Sequence, residues 1–335
     1  MLQRGSIILL GLILLNLAAF VGCTKTESQP NEQQLRNVKL ALNWFPDSQH
    51  GGFYAAQLEG FYAAEGLDVE IIPGGPGTPV IQQLMLGRAD FAVINADMIL
   101  EGNAQDAKIV AVMAPLQNSP RCIMVHQSSG ITTFEQLNDP QITLLLGSGK
   151  PFVDYLKKHV DLSKTSMNQY DGKVNSFLQN KNIAQQAYVF SEPFLAAKEG
   201  AETNCLLVSE LGYNPYTSCV ATAQNTIDQD PEIVRAFVKA SIRGWQKYIE
   251  DCEKTNAEMV RINPRMDLES LRFGAESMKS LCIPSGATAD VVGQMDKARW
   301  ETLCGQLRDL DLVPSDFQAD KSYSLNFLSE PAVSN

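Results

Sequence analysis

An indole, an amide, a carboxylate and an imidazole are crowded into one stretch of this chain, Asn43-Trp44-Phe45-Pro46-Asp47-Ser48-Gln49-His50-Gly51-Gly52-Phe53-Tyr54. Together they suit a flat aromatic ligand. Trp44 can stack on its face, while Asn43, Asp47, His50 and Tyr54 hydrogen-bond its edge. A capped turn is the plainer reading, with Pro46, Gly51 and Gly52 as turn residues and Asp47 or Ser48 as a local cap. A plain turn has little need of Trp and His beside so many small polar groups, so the stretch reads as a binding loop.

Such a loop needs a strand to enter it and a helix to leave it. Val38 to Leu42 alternates as a strand does, and Tyr54 to Gly66 predicts a helix ending at glycine. Open α/β sheets bind ligands outside the carboxyl ends of their strands. The alternation continues with strands at Leu67–Ile72, Asp90–Asn95, Ile109–Met113 and Ile123–Val125, and a short helix at Pro79–Gly87. A second series opens at Phe134, with a strand at Ile142–Leu146, helices at Phe152–His159 and Val174–Leu178, and a strand at Ala187–Phe190. This pattern predicts parallel sheets flanked by helices. The last third is helical. Asp230-Pro231-Glu232 combines a cap, a first-position proline and an acid in the first turn. From there Ile233, Val234, Phe237, Val238, Ser241, Trp245, Tyr248 and Ile249 share one face, which makes Trp245 a core residue. Leu268–Met278 and Asp290–Leu307 predict further packing helices.

Three more segments can meet a ligand. Pro73 to Pro79 carries Gly74, Gly75, Gly77 and Thr78 and opens a helix; Leu146 to Lys150 carries Ser148 between two glycines. Glycines let backbone N–H groups approach a bound molecule, although each segment also reads as a tight turn. Neither has the phosphate-loop lysine pattern, so nucleotide hydrolysis is not indicated. Glu192, just before Pro193 at the end of a strand, is placed for a cleft. A buried carboxylate there needs a donor, from a ligand or from a neighbouring Lys or Arg.

Residues 1–22 read as a signal peptide, with Arg4 ahead of an apolar run from Ile7 to Val21. The run is shorter than a membrane span requires. It closes on Phe20-Val21-Gly22-Cys23 and so resembles a bacterial lipoprotein signal, in which the cysteine is lipidated; the position of Phe20 usually holds Leu. Residues 23–37 are then the lipidated Cys23 and a polar tether. The remaining length suits two lobes. The formal net charge of −11 argues against a nucleic-acid partner. Besides Cys23 the chain has Cys122, Cys205, Cys219, Cys252, Cys282 and Cys304. Six cysteines permit disulfides in an exported protein without choosing among pairings. With no Cys-x-x-Cys and three histidines, no metal site is expected.

Much of residues 38–260 resembles the substrate-binding proteins of ABC transporters in the alkanesulfonate, nitrate and thiamine-pyrimidine-precursor group. The carriers are Asn43-Trp44-Phe45-Pro46, His50-Gly51-Gly52-Phe53-Tyr54, Glu65-Gly66-Leu67-Asp68-Val69 and Leu86-Gly87-Arg88-Ala89-Asp90-Phe91. Later matches are Ser191-Glu192-Pro193-Phe194, Gly212-Tyr213-Asn214-Pro215-Tyr216 and Val234 to Ala240. The resemblance implies an α/β, type II periplasmic-binding-protein fold, with a ligand cleft that closes as the two lobes hinge. Lobe 1 would take residues 38–118 and 220–328, and lobe 2 residues 119–219. Asn43-Trp44 with His50 most resembles the pyrimidine-precursor branch. Carried over, Trp44 is an aromatic wall, Asn95 a polar contact and Glu192 the acceptor for an exocyclic amino group; Tyr213 and Tyr216 can form the opposing wall.

The expectation is therefore a lipoprotein in the cell envelope, not an enzyme and without cofactor. It captures a small heteroaromatic nutrient, such as a thiamine pyrimidine precursor, for ABC permease subunits. Riboflavin, or a sulfonate or other organic anion at the Gly74–Thr78 loop, is the alternative. Eukaryotic pyrimidine synthases share the histidine loop, but they need adjacent cysteines and this chain has none. A solute sensor docking on a receptor is a third reading. Radiolabelled palmitate should enter the full-length protein and be lost in Cys23→Ser; equal labelling of both would refute the anchor.

Overall fold

A computed structural model describes residues 35–328. The expected signal peptide, Cys23 and most of the tether lie outside the described residues. The tether expected to run to residue 37 ends sooner, because Arg36 and Asn37 already belong to the first strand.

Among the described residues ten strands form two five-stranded sheets. The first contains β1 (Arg36–Ala41), β2 (Leu67–Ile72), β3 (Phe91–Ile94), β4 (Ile109–Met113) and β10 (Cys219–Ala223), in the order β2-β1-β3-β10-β4. The second contains β5 (Arg121–His126), β6 (Thr143–Leu146), β7 (Ser166–Gln169), β8 (Ile183–Tyr188) and β9 (Thr203–Leu207), in the order β7-β6-β8-β5-β9. The sheets are mixed, not parallel throughout. β10 runs antiparallel to β3 and β4, and β5 antiparallel to β8 and β9. Each of these strands is the first that the chain lays down after passing from one sheet to the other. It arrives from the far end, so it pairs in the opposite sense.

The two passages lie between Met113 and Arg121 and between Leu207 and Cys219. They are tied together. Leu116 bridges Thr217, and Ser119 N–H donates to Asn214 Oδ1 at 2.8 Å. Arg299, on the helix Lys297–Asp309, staples both: Nε donates to Asn214 O at 2.9 Å and Nη1 to Gln117 O. A guanidinium presents its donors in a rigid fork, which suits two backbone segments at once.

The binding loop leaves β1 and enters the helix Gly51–Leu58, which starts earlier than expected. Gly51 and Gly52 are its first turn and not a loop. They are glycines because of what lies against them. A Cβ at Gly52 would come within 2.2 Å of the Trp245 ring, and one at Gly51 within 2.2 Å of the Tyr248 ring. Trp245 and Tyr248 sit on the long helix Pro231–Glu250, capped by Asp230 accepting from Ile233 N–H at 3.1 Å. That helix returns the favour: a Cβ at Gly244 would strike Gly52 O at 2.2 Å. The expected helix Tyr54–Gly66 is broken, because Gly60 at φ 70° ends one segment and starts a short second one.

The polar strand β7, exposed throughout, carries no hydrophobic alternation and was not readable as a strand. Among the described residues no helix is long and apolar enough to cross a membrane, and Cys122, Cys205, Cys219, Cys252, Cys282 and Cys304 are free thiols.

Gly244→Ala should be destabilising, by about 1–3 kcal/mol as for overpacked cores, because its Cβ meets backbone that cannot rotate away. The urea midpoint should fall with the slope unchanged. An unaltered midpoint would mean that the helices separate without cost.

Candidate functional site

A cavity of about 460 Å³ opens between the carboxyl ends of strands in the two sheets. From the first sheet it is lined by Asn43, Trp44, Asp47, Gln49, Gly77, Thr78 and Asn95, among others. From the second come Arg121, Lys150, Tyr170, Gln186, Tyr188, Phe190 and Glu192.

The loop after β1 is held by its own polar groups. Asp47 caps the turn Ser48–His50: Oδ1 accepts from Gln49 N–H and Oδ2 from the Gln49 amide, each at 3.0 Å. His50 Nε2 donates to Asn43 Oδ1 at 3.0 Å, and its Nδ1 lies 3.3 Å from Asp47 Oδ1. The imidazole is 0% exposed. It therefore stands behind the cavity wall, hydrogen-bonded to Asn43 and beside Asp47, two residues that line the cavity. Trp44 is half-buried on that wall, edge-on to Phe45 at 5.5 Å between ring centroids. Asn263 Nδ2 donates to Pro46 O at 2.9 Å and pins the turn from behind.

Asn95 and Gln49 are joined by a residue that sequence reasoning did not single out. Ser218, at φ 57°, donates its N–H to Asn95 Oδ1 at 3.2 Å and its hydroxyl to Gln49 Oε1 at 3.1 Å. A non-glycine residue in that region is uncommon. Here its strained backbone aims two donors at two cavity amides, one step before β10.

On the second sheet, Glu192 opens the short helix Glu192–Lys198. Its Oε1 accepts from Tyr170 OH and its Oε2 from Tyr188 N–H, each at 2.9 Å. Burial raises its pKa, opposed by those hydrogen bonds and by the Arg121 charge. Burial likewise raises the Tyr170 hydroxyl, with Glu192 adding to the shift. The lysine or arginine partner weighed for Glu192 is not there: among the described residues no cation lies at ion-pair distance from it. Gln186 Oε1 accepts from Gly147 N–H at 2.7 Å and orients the loop after β6.

Of the residues expected at the site, the structure brings together Asn43, Trp44, Asp47, Thr78, Asn95 and Glu192. Thr78 reaches the cavity, but its hydroxyl is engaged with Gly75, donating to O at 2.9 Å and accepting from N–H at 2.7 Å. Gly75 itself stands under the Phe45 ring, and its neighbour Gly77 takes the lining position. Tyr54 is buried in the core with Phe53, because the helix begins at Gly51 and turns it inward. Ser148 is exposed and donates to Gln169 Oε1 at 2.5 Å.

The opposing wall is not made of Tyr213 and Tyr216. Both are buried within the second passage. Tyr213 OH donates to Asp97 Oδ2 at 3.0 Å, and Tyr216 OH accepts from Asp296 N–H at 2.8 Å beneath the Arg299 guanidinium. Tyr188, Tyr170 and Phe190 occupy that side instead. The rule that ligands meet the carboxyl ends of strands pointed to them, since Tyr170 follows β7 and Tyr188 ends β8.

Comparison with known proteins agrees with this architecture. A family profile described as NMT1/THI5 like matches residues 47–255. A riboflavin-binding protein, RibY of Chloroflexus aurantiacus, is 27% identical over 227 residues, covering 64% of this chain and 63% of that protein, so the alignment spans under two thirds of that relative. A formylaminopyrimidine-binding protein of Halalkalibacterium halodurans is 22% identical, covering 91% of this chain and 94% of that protein. A 4-amino-5-hydroxymethyl-2-methylpyrimidine phosphate synthase of Legionella pneumophila is 21% identical, covering 89% and 94%. Among solved structures, the periplasmic aliphatic sulphonate binding protein SsuA of Escherichia coli superposes with a TM-score of 0.65 at 12% identity, covering 89% of this chain and 94% of that one. The expected periplasmic-binding-protein fold is borne out.

His50→Ala should lower stability by about 1–3 kcal/mol, the cost of leaving buried partners unsatisfied. It should also weaken ligand capture, although the ring does not touch the cavity. Thermal melts with calorimetry check both. Full affinity in the variant would show that Asn43 and Asp47 hold their places unaided.

Proposed function

From its place in the NMT1/THI5-like family, to which this chain belongs, we propose that the protein is the extracytoplasmic solute-binding component of an ABC importer. It captures a small, flat, amino-bearing heteroaromatic nutrient of the thiamine-pyrimidine-precursor kind and delivers it to permease subunits. The two sheets act as the lobes of a hinged trap, with the stapled passages as the hinge.

The observation that carries this reading is the pairing of Trp44 on one wall with Glu192 on the other, across one cavity. Stacking supplies affinity for any aromatic ring, about 0.5–1.5 kcal/mol beyond its buried area. A carboxylate without a counter-ion selects a ring that donates, and a charged hydrogen bond adds about 1.5–3 kcal/mol. Asp47 and Glu192 offset Arg121 and Lys150 in the lining, so the cavity does not present the net positive charge that would select an organic anion.

Capture is favoured over synthesis by the placement of His50. A histidine consumed as substrate must reach the reaction space. This one is sealed behind the wall and bonded to Asn43. A flavin is the second reading. The cavity of about 460 Å³ has room beyond a single pyrimidine ring, and the riboflavin-binding relative supports it.

Mass spectrometry of ligand released from the purified protein identifies the class. With that ligand, Trp44→Ala and Glu192→Gln should each weaken binding roughly tenfold or more, a factor of ten being about 1.4 kcal/mol. Affinity should also fall as pH drops through the raised pKa of Glu192, because a protonated carboxyl is a poorer acceptor. That dependence should vanish in Glu192→Gln. Unchanged binding by Glu192→Gln would sink the amino-group contact.

A further inference from the structure

Arg121 is the first residue of β5, half-buried, and lines the cavity. Its guanidinium carbon lies 4.2 Å from the Phe152 ring centroid and 4.7 Å from that of Tyr188. Two aromatic contacts hold the fork in one orientation. Nη2 donates to Tyr188 OH at 2.7 Å. A guanidinium has five N–H donors, so this bond leaves most of them uncommitted. Among the described residues no carboxylate lies at ion-pair distance from it.

Arg121 and Glu192 therefore face the same cavity as opposite charges that do not touch. Both are anchored on one residue, Arg121 on the Tyr188 hydroxyl and Glu192 on the Tyr188 N–H. They are thus anchored at opposite ends of Tyr188. Yet the Arg121 charge is felt at Glu192, where it counteracts burial. A half-buried charge is costly unless it is paired and hydrogen-bonded. Two such charges, unpaired with each other on one cavity wall, favour a molecule that bridges them. A neutral ring fits that description, offering an acceptor to one and a donor to the other. An anion would satisfy Arg121 and be repelled by Glu192.

We propose that Arg121 is a specificity-determining residue of this site, recognising an acceptor atom (a ring nitrogen or a carbonyl oxygen) on the heteroaromatic ligand whose donor meets Glu192. This rests on the reading of the protein as a heteroaromatic-ligand binder and narrows the ligand to neutral rings that carry both kinds of group. Lys150, exposed at the cavity rim, takes no part in it.

The test is calorimetry with 4-amino-5-hydroxymethyl-2-methylpyrimidine and riboflavin as probes, on wild type, Arg121→Met, Arg121→Lys and Tyr188→Phe. Arg121→Met should weaken the bound probe by roughly ten- to a hundred-fold. Arg121→Lys, which keeps the charge and loses the fork, should fall between the two. Tyr188→Phe, which frees the guanidinium without removing it, should cost less than Arg121→Met. A deaza analogue of the pyrimidine, or a thiocarbonyl analogue of riboflavin, separates recognition from packing. Wild type should discriminate against the analogue, and Arg121→Met should bind probe and analogue alike. Equal binding by Arg121→Met and wild type, or unaltered discrimination in the variant, overturns the role of Arg121 and leaves the binder reading intact. Failure of wild type to bind either probe overturns the binder reading and the ring-edge assignment with it.

Discussion

The close approach of the helix Gly51–Leu58 to the helix Pro231–Glu250 is the contact on which the site depends. Three glycines allow it, and the aromatic rings of Trp245 and Tyr248 fill the space where side chains would otherwise stand. Interiors pack at crystal-like density, so neither helix can shift by the width of a methyl group without cost. The loop from Asn43 to His50 runs from β1 straight into this fixed helix. Its ends are set by a strand on one side and a helix on the other. Its middle is set by Asp47, by buried His50 and by Asn263 behind Pro46. Trp44 is thereby presented to the cavity on a rigid mount.

The facing wall has a different anchor. Tyr188, at the end of β8, offers its N–H to Glu192 and its hydroxyl to Arg121. One residue thus spaces the acceptor and the donor of that side. The sides meet again where the helix Glu192–Lys198 approaches the helix Leu268–Cys282. Phe194 stacks on Phe273 at 4.7 Å, and Lys198 pairs with Asp267 at 2.9 Å. Both contacts lie within two turns of Glu192, so the carboxylate is tied to the position of the other side as well as to its own strand.

Much of the framework was legible in the sequence. Strands with alternation or buried apolar runs, such as β2 and β3, stood where periodicity put them, and the one-sided helix Pro231–Glu250 buries the face predicted for it. What failed was what periodicity does not encode. The polar edge strand β7 has no apolar face to give it away, and strand direction depends on where the chain comes from. The site was half legible for the same reason. Trp44, Asp47 and Asn43 lie in one loop and declare themselves by crowding. Arg121 and Tyr188 come from two strands and Tyr170 from the end of a third, and only the sheet brings them together. Tyr213 and Tyr216 misled because an aromatic pair beside a proline suits a binding wall and a packed hinge equally well. Both are buried, Tyr213 on Asp97 and Tyr216 beneath Arg299, so they pack the passage and do not form the wall.

The insertion of β10 between β3 and β4 has a bearing on how the chain is made. When β4 leaves the ribosome, its place in the first sheet cannot be taken directly, because the strand that must lie beside it is more than a hundred residues away. Until residue 223 has emerged, that sheet is only β2-β1-β3, and β4 has no neighbour in it. The second sheet waits less, since β5 to β9 are contiguous in the chain and β5 finds its first neighbour in β8. Long-range pairings of this kind are slow to form. The part of the molecule made first is therefore the part finished last, and the nascent chain keeps an incomplete first sheet through most of its synthesis.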